Sequence, residues 1–177
     1  IINDALQSIG KKPLSKTTLK KHFGAPIEKD QQTHFKGHSL EQIRKLYLKF
    51  YFNHWEKIQL FPDTLPILKE VAGNGWKIGL ISNSTMDIIN PVMKRHGISK
   101  YFDVIISMDD VKQRKPNPEK LIKACKILKV KTSETVVIGD TQNDMIAGKL
   151  AGCMTIGIKT KGDYTVKKLS SITRFLK

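Results

Sequence analysis

From residue 61 onward, short apolar runs alternate with segments of helical spacing, and this alternation restricts the fold more than any other feature of the chain. Runs at 76–81, 102–108, 135–138 and 153–158 are almost continuously apolar, the pattern of strands buried on both faces. Between them, 62–72, 86–96, 118–128 and 144–151 read as helices, three of which stop at Gly73, Gly97 and Gly152. Parallel strands need a crossover of a dozen or so residues, and a helix supplies it. The spacing therefore predicts a doubly wound parallel α/β sheet over 61–177, with the four runs side by side in one sheet. Residues 164–166 add a short fifth strand, and a closing helix starts near Ser170.

Residues 1–60 break that rhythm and read as helices and connectors. A first helix over 1–9 stops at Gly10, and a second follows Ser15 and ends at Phe23–Gly24. A third begins at Ser39, where Ser39 and Gln42 have the spacing of a capping box, and runs to about Gln59. Its apolar stripe, Ile43, Leu46, Tyr47, Phe50, Tyr51, His54, Trp55 and Ile58, repeats every 3.6 residues. The expected organisation is a helical lobe over 1–60 and an α/β core over 61–177.

Composition removes several function classes. With 40% hydrophobic residues, the chain can bury a core, and no run approaches the roughly 20 apolar residues of a membrane span. Cys125 and Cys153 lie outside any zinc or redox spacing and read as buried thiols of a reducing compartment, with the cytoplasm as the expected location. A formal charge of +15 raises nucleic acid as a partner. The excess is spread along the chain, however, and no Arg-rich run, zinc finger or aromatic RNA motif accompanies it, so it reads as a lysine-rich solvated surface.

Three motifs carry chemistry, each placed where a run gives way to a helix. Ser82-Asn83-Ser84 follows the first run, where a hydroxyl and the next backbone N–H can both donate to a phosphoryl oxygen, although the same triplet is an ordinary turn sequence. Lys115-Pro116-Asn117-Pro118-Glu119 presents an ammonium on a segment stiffened by two prolines. Gly139-Asp140-Thr141-Gln142-Asn143-Asp144 follows the third run, and its first carboxylate suits Mg²⁺, which takes one or two carboxylates with waters and phosphate oxygens.

In this order the motifs resemble those of the haloacid dehalogenase superfamily, and in particular its phosphoglycolate-phosphatase-like branch. The resemblance implies a Mg²⁺-dependent phosphatase acting on a small phosphorylated metabolite through an aspartyl-phosphate. Ser82, the Asn83 N–H and Lys115 would hold the phosphoryl group, with Lys115 also catalytic; Asp140 would ligate Mg²⁺, and Asp144 would support the site from behind. Residues 1–60 would be the cap that selects substrate. The superfamily's nucleophile comes from an Asp-x-Asp motif on a first, central strand, and no Asp-x-Asp occurs in the 177 residues. That strand is expected about 10 to 20 residues upstream of Ile1. Without it the chain is expected to be inactive, and the strands ending at Ile81 and Gly139 should stand apart by roughly 9 to 10 Å. Phosphosugar mutase, haloacid dehalogenase and a non-catalytic basic binding module are the alternatives.

Other candidates weigh less. His34 and His38 have helical zinc spacing, but Gly37 interrupts them. The aromatics of 47–55 read as core, with Tyr51 or Trp55 the members that could face a substrate. Asp109 and Asp110 are adjacent, point apart and read as loop residues. Ser82, Lys115 and Asp140 are expected to converge within roughly 10 Å, since one phosphate and one metal must touch all three.

Overall fold

Alternating short strands and helices divide the molecule at residue 60. The computed structural model describes residues 1–22 and 27–176, in two compact units, Ile1–Gln59 and Leu60–Lys177. The expected end of the second helix at Phe23–Gly24 lies outside the described residues.

The first unit contains α1 (Ile2–Ser8), α2 (Lys16–His22), α3 (Ile27–Thr33) and α4 (Leu40–Asn53). The capping box at the start of α4 forms: Ser39 accepts from the Gln42 N–H, and the Gln42 side chain accepts from the Ser39 N–H. The helix is shorter than its apolar stripe, which continues into a separate 3₁₀ turn at Trp55–Lys57. Ile43, Leu46, Tyr47 and Phe50 pack against Ala5, Leu6 and Phe35. Tyr51, Phe52 and Trp55 instead meet one another, edge to face and tilted, at 5.6 and 5.3 Å between ring centres. The Tyr47 hydroxyl donates to the buried Asp30 at 2.8 Å. Burial and the Asp30 charge both push its pKa up, so it serves as a neutral donor. His38 lies edge-on to Phe35, and among the described residues no group of three metal-ligating side chains forms.

The second unit contains α5 (Thr64–Gly73), β1 (Gly79–Ile81), α6 (Met86–Arg95), β2 (Val104–Ile106), α7 (Glu119–Leu128), β3 (Val136–Gly139), α8 (Gln142–Ala151), β4 (Met154–Ile158) and β5 (Tyr164–Val166), closed by a 3₁₀ segment, Leu169–Phe175. Every pairing is parallel: β1 with β2, β3 with β4, and β4 with β5. The chain has the Rossmann-like α/β fold read from its sequence, with one correction. The four runs do not share one sheet; β1 and β2 form a two-stranded sheet, and β3 and β4 join β5 in a three-stranded one.

Backbone parity explains the break. The Ile78 carbonyl accepts from Asp103 and the Ser82 N–H donates to Ile106, so even-numbered residues of β1 face β2. Successive residues of a strand turn their N–H and C=O to opposite sides, which aims Gly79 and Ile81 away from β2. On β3 the Thr135 carbonyl accepts from Met154, which aims Val136 and Ile138 away from β4. Between these outward edges lies an apolar slot of about 660 Å³, lined by β1 and β3, with Leu121, Ala124, Cys125 and Leu128 of α7 and Ile67 and Leu68 of α5 among its walls. A residue of an internal strand occupies about 160 Å³, from its rise, the strand spacing and the layer spacing. The slot therefore has room for about four residues of extended chain.

Candidate active site at the carboxyl ends of β1 and β3

In a parallel sheet flanked by helices, the loops leaving the strands' carboxyl ends gather at one edge. The loop after β1 carries Ser82 and Asn83. Ser82 Oγ accepts the Ser84 N–H at 3.0 Å, which leaves its own O–H free to donate. A regular ladder would send the Met108 N–H to the Ser82 carbonyl, but it goes to the Ser84 carbonyl at 2.9 Å, so the backbone leaves the ladder at Ser82. Among the described residues nothing accepts the Asn83 N–H.

The Asn83 side chain fastens this loop to the Lys115 segment. Its Oδ1 accepts the Lys115 N–H at 3.0 Å, and its Nδ2 donates to the Lys115 carbonyl at 3.3 Å. Downstream, Asn117 Oδ1 accepts the Glu119 N–H at 2.9 Å at the start of α7. The Lys115–Pro116 peptide bond is cis. Held in this way, Lys115 extends across the end of the slot. Its Nζ donates to the Ile81 carbonyl at 3.0 Å and to Asp144 Oδ1 at 2.5 Å, which leaves one of its three protons uncommitted.

Asp144 is fixed by its own helix. Thr141 caps α8, and Asp144 Oδ2 accepts the Thr141 N–H at 3.1 Å and hydroxyl at 2.6 Å. A side chain at Gly139 would run into Asp144, so this close approach requires glycine. Burial pushes the Asp144 carboxyl up, but the hydrogen bonds from Lys115 and Thr141 outweigh it and hold the group below its ordinary value.

Ser82, Asn83, Lys115 and Asp144 thus form one hydrogen-bonded group. Asp140 stands apart from it: the residue is exposed at the end of β3, and among the described residues no hydrogen bond or ion pair holds its carboxylate. It offers one uncommitted carboxylate, whereas both Asp144 oxygens are in use. Such a donor set fits Mg²⁺, which binds through one or two carboxylates and fills its shell with water and phosphate oxygens.

Two features escaped the sequence reading. Lys120 is fully buried in α7, and its Nζ donates to the Ser82 carbonyl at 2.5 Å and Asn83 Oδ1 at 2.9 Å. Burial, reinforced by the Lys115 and Arg114 charges and partly offset by Asp110 and Asp109, brings its pKa down to about 8. Helical spacing could have found it, since it precedes Ala124 by four residues on the face that carries Leu121 and Cys125. Asp109 and Asp110, read as loop residues, hold neighbouring backbone. Asp109 accepts the Met86 N–H at 2.9 Å at the start of α6, and Asp110 accepts the Ser107 N–H and hydroxyl at 2.8 and 2.7 Å.

Known proteins resemble the chain in sequence and in fold. The family model of haloacid dehalogenase-like hydrolases matches residues 1–158. A phosphoglycolate phosphatase of Yersinia pestis is 36% identical over 147 residues, which cover 80% of this chain and 63% of that protein. Pyrophosphatase PpaX of Bacillus mycoides is 26% identical over 166 residues, 87% of this chain and 77% of that one. The chain thus spans less than two thirds of the phosphoglycolate phosphatase it matches. A crystal structure of a predicted phosphoglycolate phosphatase from Haemophilus somnus superimposes with a TM-score of 0.82 at 18% identity, covering 99% of this chain and 88% of that one, a likeness of fold. By family match, relatives and fold together, the chain belongs to the haloacid dehalogenase-like hydrolases.

Proposed function

We propose that this chain is the greater part of a Mg²⁺-dependent phosphatase for small phosphate monoesters, with phosphoglycolate the first substrate to test. One observation carries the reading: the Lys115 ammonium is locked at the carboxyl end of an open, parallel-edged slot, between the Ile81 carbonyl and Asp144. A strand entering the slot parallel to its neighbours would end beside that ammonium. The family resemblance assigns this strand an Asp-x-Asp motif, whose first aspartate attacks phosphorus as the alcohol leaves; water then cleaves the aspartyl-phosphate.

In that reaction Ser82 Oγ–H and the free Asn83 N–H donate to phosphoryl oxygens, and Lys115 balances charge on the phosphoryl group. Asp144 orients Lys115 and does no chemistry itself. Asp140 would hold Mg²⁺, which supplies charge stabilisation to the phosphoryl oxygens when bound. The helical unit, Ile1–Gln59, would act as the substrate-selecting cap.

The test restores an Asp-x-Asp-x-Thr strand at the amino terminus and measures phosphate release from a panel of monoesters with Mg²⁺. Release that disappears in Lys115→Met is the expected result. A restored, folded protein that releases phosphate from none of the panel would overturn the proposal.

A further inference from the structure

We propose that Lys120 is a positioning residue for phosphate binding: its ammonium holds the carbonyl of the Ser82–Asn83 peptide, so that the N–H of the same peptide faces the incoming phosphoryl oxygen. The inference rests on the phosphate-binding role given to this loop, and it assigns a function to the one fully buried lysine of α7.

The first observation is the peptide unit itself. The Ser82 carbonyl and the Asn83 N–H belong to one planar trans amide and point in opposite directions. Lys120 Nζ takes the carbonyl at 2.5 Å, on the α7 side. The N–H on the other end is without an acceptor among the described residues. A charged donor on the carbonyl draws electron density toward oxygen and makes the N–H a stronger donor, by the mutual polarisation of linked hydrogen bonds.

The second observation is that Lys120 takes the place of a ladder bond. With Met108 N–H diverted to Ser84, the Ser82 carbonyl would otherwise have no strand partner, and the peptide plane could rotate. Lys120 fixes the plane from one side. The Asn83 side chain ties the same ammonium to the Lys115 segment, because its Oδ1 bonds both Lys120 Nζ and the Lys115 N–H. A movement of Lys120 would therefore shift the Asn83 donor and the Lys115 segment together.

The third is charge. No carboxylate lies within ion-pair distance of Lys120 among the described residues, and isolated buried charge is strongly unfavourable. A phosphate dianion on the far side of the Ser82–Asn83 peptide supplies countercharge beyond the partial offset from the more distant Asp110 and Asp109. A purely structural role would be filled at lower cost by methionine, which suits the apolar face of α7.

The test follows the Asn83 amide by ¹⁵N–¹H NMR while inorganic phosphate is added to the whole chain, in the wild type and in Lys120→Met and Lys120→Gln. In the wild type, the Asn83 amide should move downfield as phosphate binds. In Lys120→Met it should start upfield of the wild type, and phosphate affinity should fall roughly tenfold, the scale of one lost charge-assisted hydrogen bond. Lys120→Gln keeps a donor without the charge and should fall between the two. Should Lys120→Met fail to fold, the glutamine variant decides alone. Wild-type affinity and an unshifted Asn83 amide in the folded variants would refute the role of Lys120. If the wild-type Asn83 amide does not respond to phosphate, the loop is not a phosphate site, and the proposed function fails with it.

Discussion

Replacing Lys120 by methionine should change how the stability of the α/β unit depends on pH, and the sign follows from the environment of the ammonium. Burial, with Lys115 and Arg114 nearby, lowers its pKa from 10.5 to about 8 in the folded chain. At ~1.4 kcal/mol per pKa unit, holding the proton in the fold costs about 3 kcal/mol relative to the unfolded chain. Below pH 8 both states carry the proton, and the whole cost is present. Between pH 8 and 10.5 only the unfolded state keeps it, so wild-type stability rises with pH, and above 10.5 the cost is gone. Methionine has no proton to release. The difference in unfolding free energy, wild type minus Lys120→Met, should therefore climb by about 3 kcal/mol from pH 7 to 10.5. The hydrogen bonds lost with Lys120 add only an offset, and titrations common to both proteins cancel. Urea unfolding followed by Trp76 fluorescence in a Trp55→Phe background reports on the α/β unit alone, since each unit holds one tryptophan. Parallel curves for the two proteins across that range would refute a buried, charged Lys120.

Three further variants have defined outcomes. Asp144→Asn should cost roughly 3 kcal/mol in denaturant unfolding, because it leaves Lys115 only 14% exposed without its counter-ion. The same change should flatten the acid limb of a melting profile: the Asp144 carboxyl sits below its ordinary 3.8, so its contribution is present above about pH 4 and is lost as pH falls through the folded value. Gly139→Ala should destabilise by about 1 to 3 kcal/mol, since the new methyl would run into Asp144, and phosphate binding measured by calorimetry should weaken with it. Asp140→Ala should leave the melting temperature almost unchanged, since its carboxylate is exposed and unbonded, yet abolish Mg²⁺-dependent phosphate release in the strand-restored enzyme.

The strands could be read because burial on both faces makes a run apolar throughout, and their helices because each ends in a glycine or a polar cap. Their lengths could not. The run at 76–81 yields a ladder of only Gly79–Ile81, since Trp76 stays 37% exposed and the Ile78 N–H goes to the Asp103 side chain instead of a strand carbonyl. Helix α3 gives no sequence signal, since Ile27–Thr33 offers one apolar residue and no periodic stripe. In the site, residues with recognisable chemistry were legible: Ser82, Asn83, Lys115 and Asp140 lie at carboxyl ends of strands or in the loops beyond them, and Asp144 in the first turn of the helix that follows β3. Connectors were not. The position of Asn83 after a strand points to its N–H, whereas its side chain clamps Lys115 through both a donor and an acceptor. Lys120 was lost among 31 basic residues, because composition predicts a solvated lysine and only the three-dimensional packing of α7 buries this one.

The slot and the site are a single construction, and the geometry of β1 ties them together. Ile81 is the last residue of β1 whose carbonyl faces the slot, and that carbonyl accepts Lys115 Nζ. A carbonyl oxygen has two lone pairs, so it can receive a backbone N–H from an entering strand and keep the lysine. The entering residue that bonds Ile81 is then one strand spacing from β1, about 4.8 Å, with the Lys115 ammonium just beyond it. The next residue of that strand leaves the ladder between Lys115 and the Ser82–Asn83 loop. With Lys115 paired to Asp144 and Lys120 bonded only to the neutral Ser82 carbonyl and Asn83 Oδ1, that position favours negative charge. An aspartate there would be ionised, desolvated on the slot side and free to attack on the other. A lysine or arginine there would put a third cation beside two, so the residues already present give the proposed strand a physical reason to end in a carboxylate.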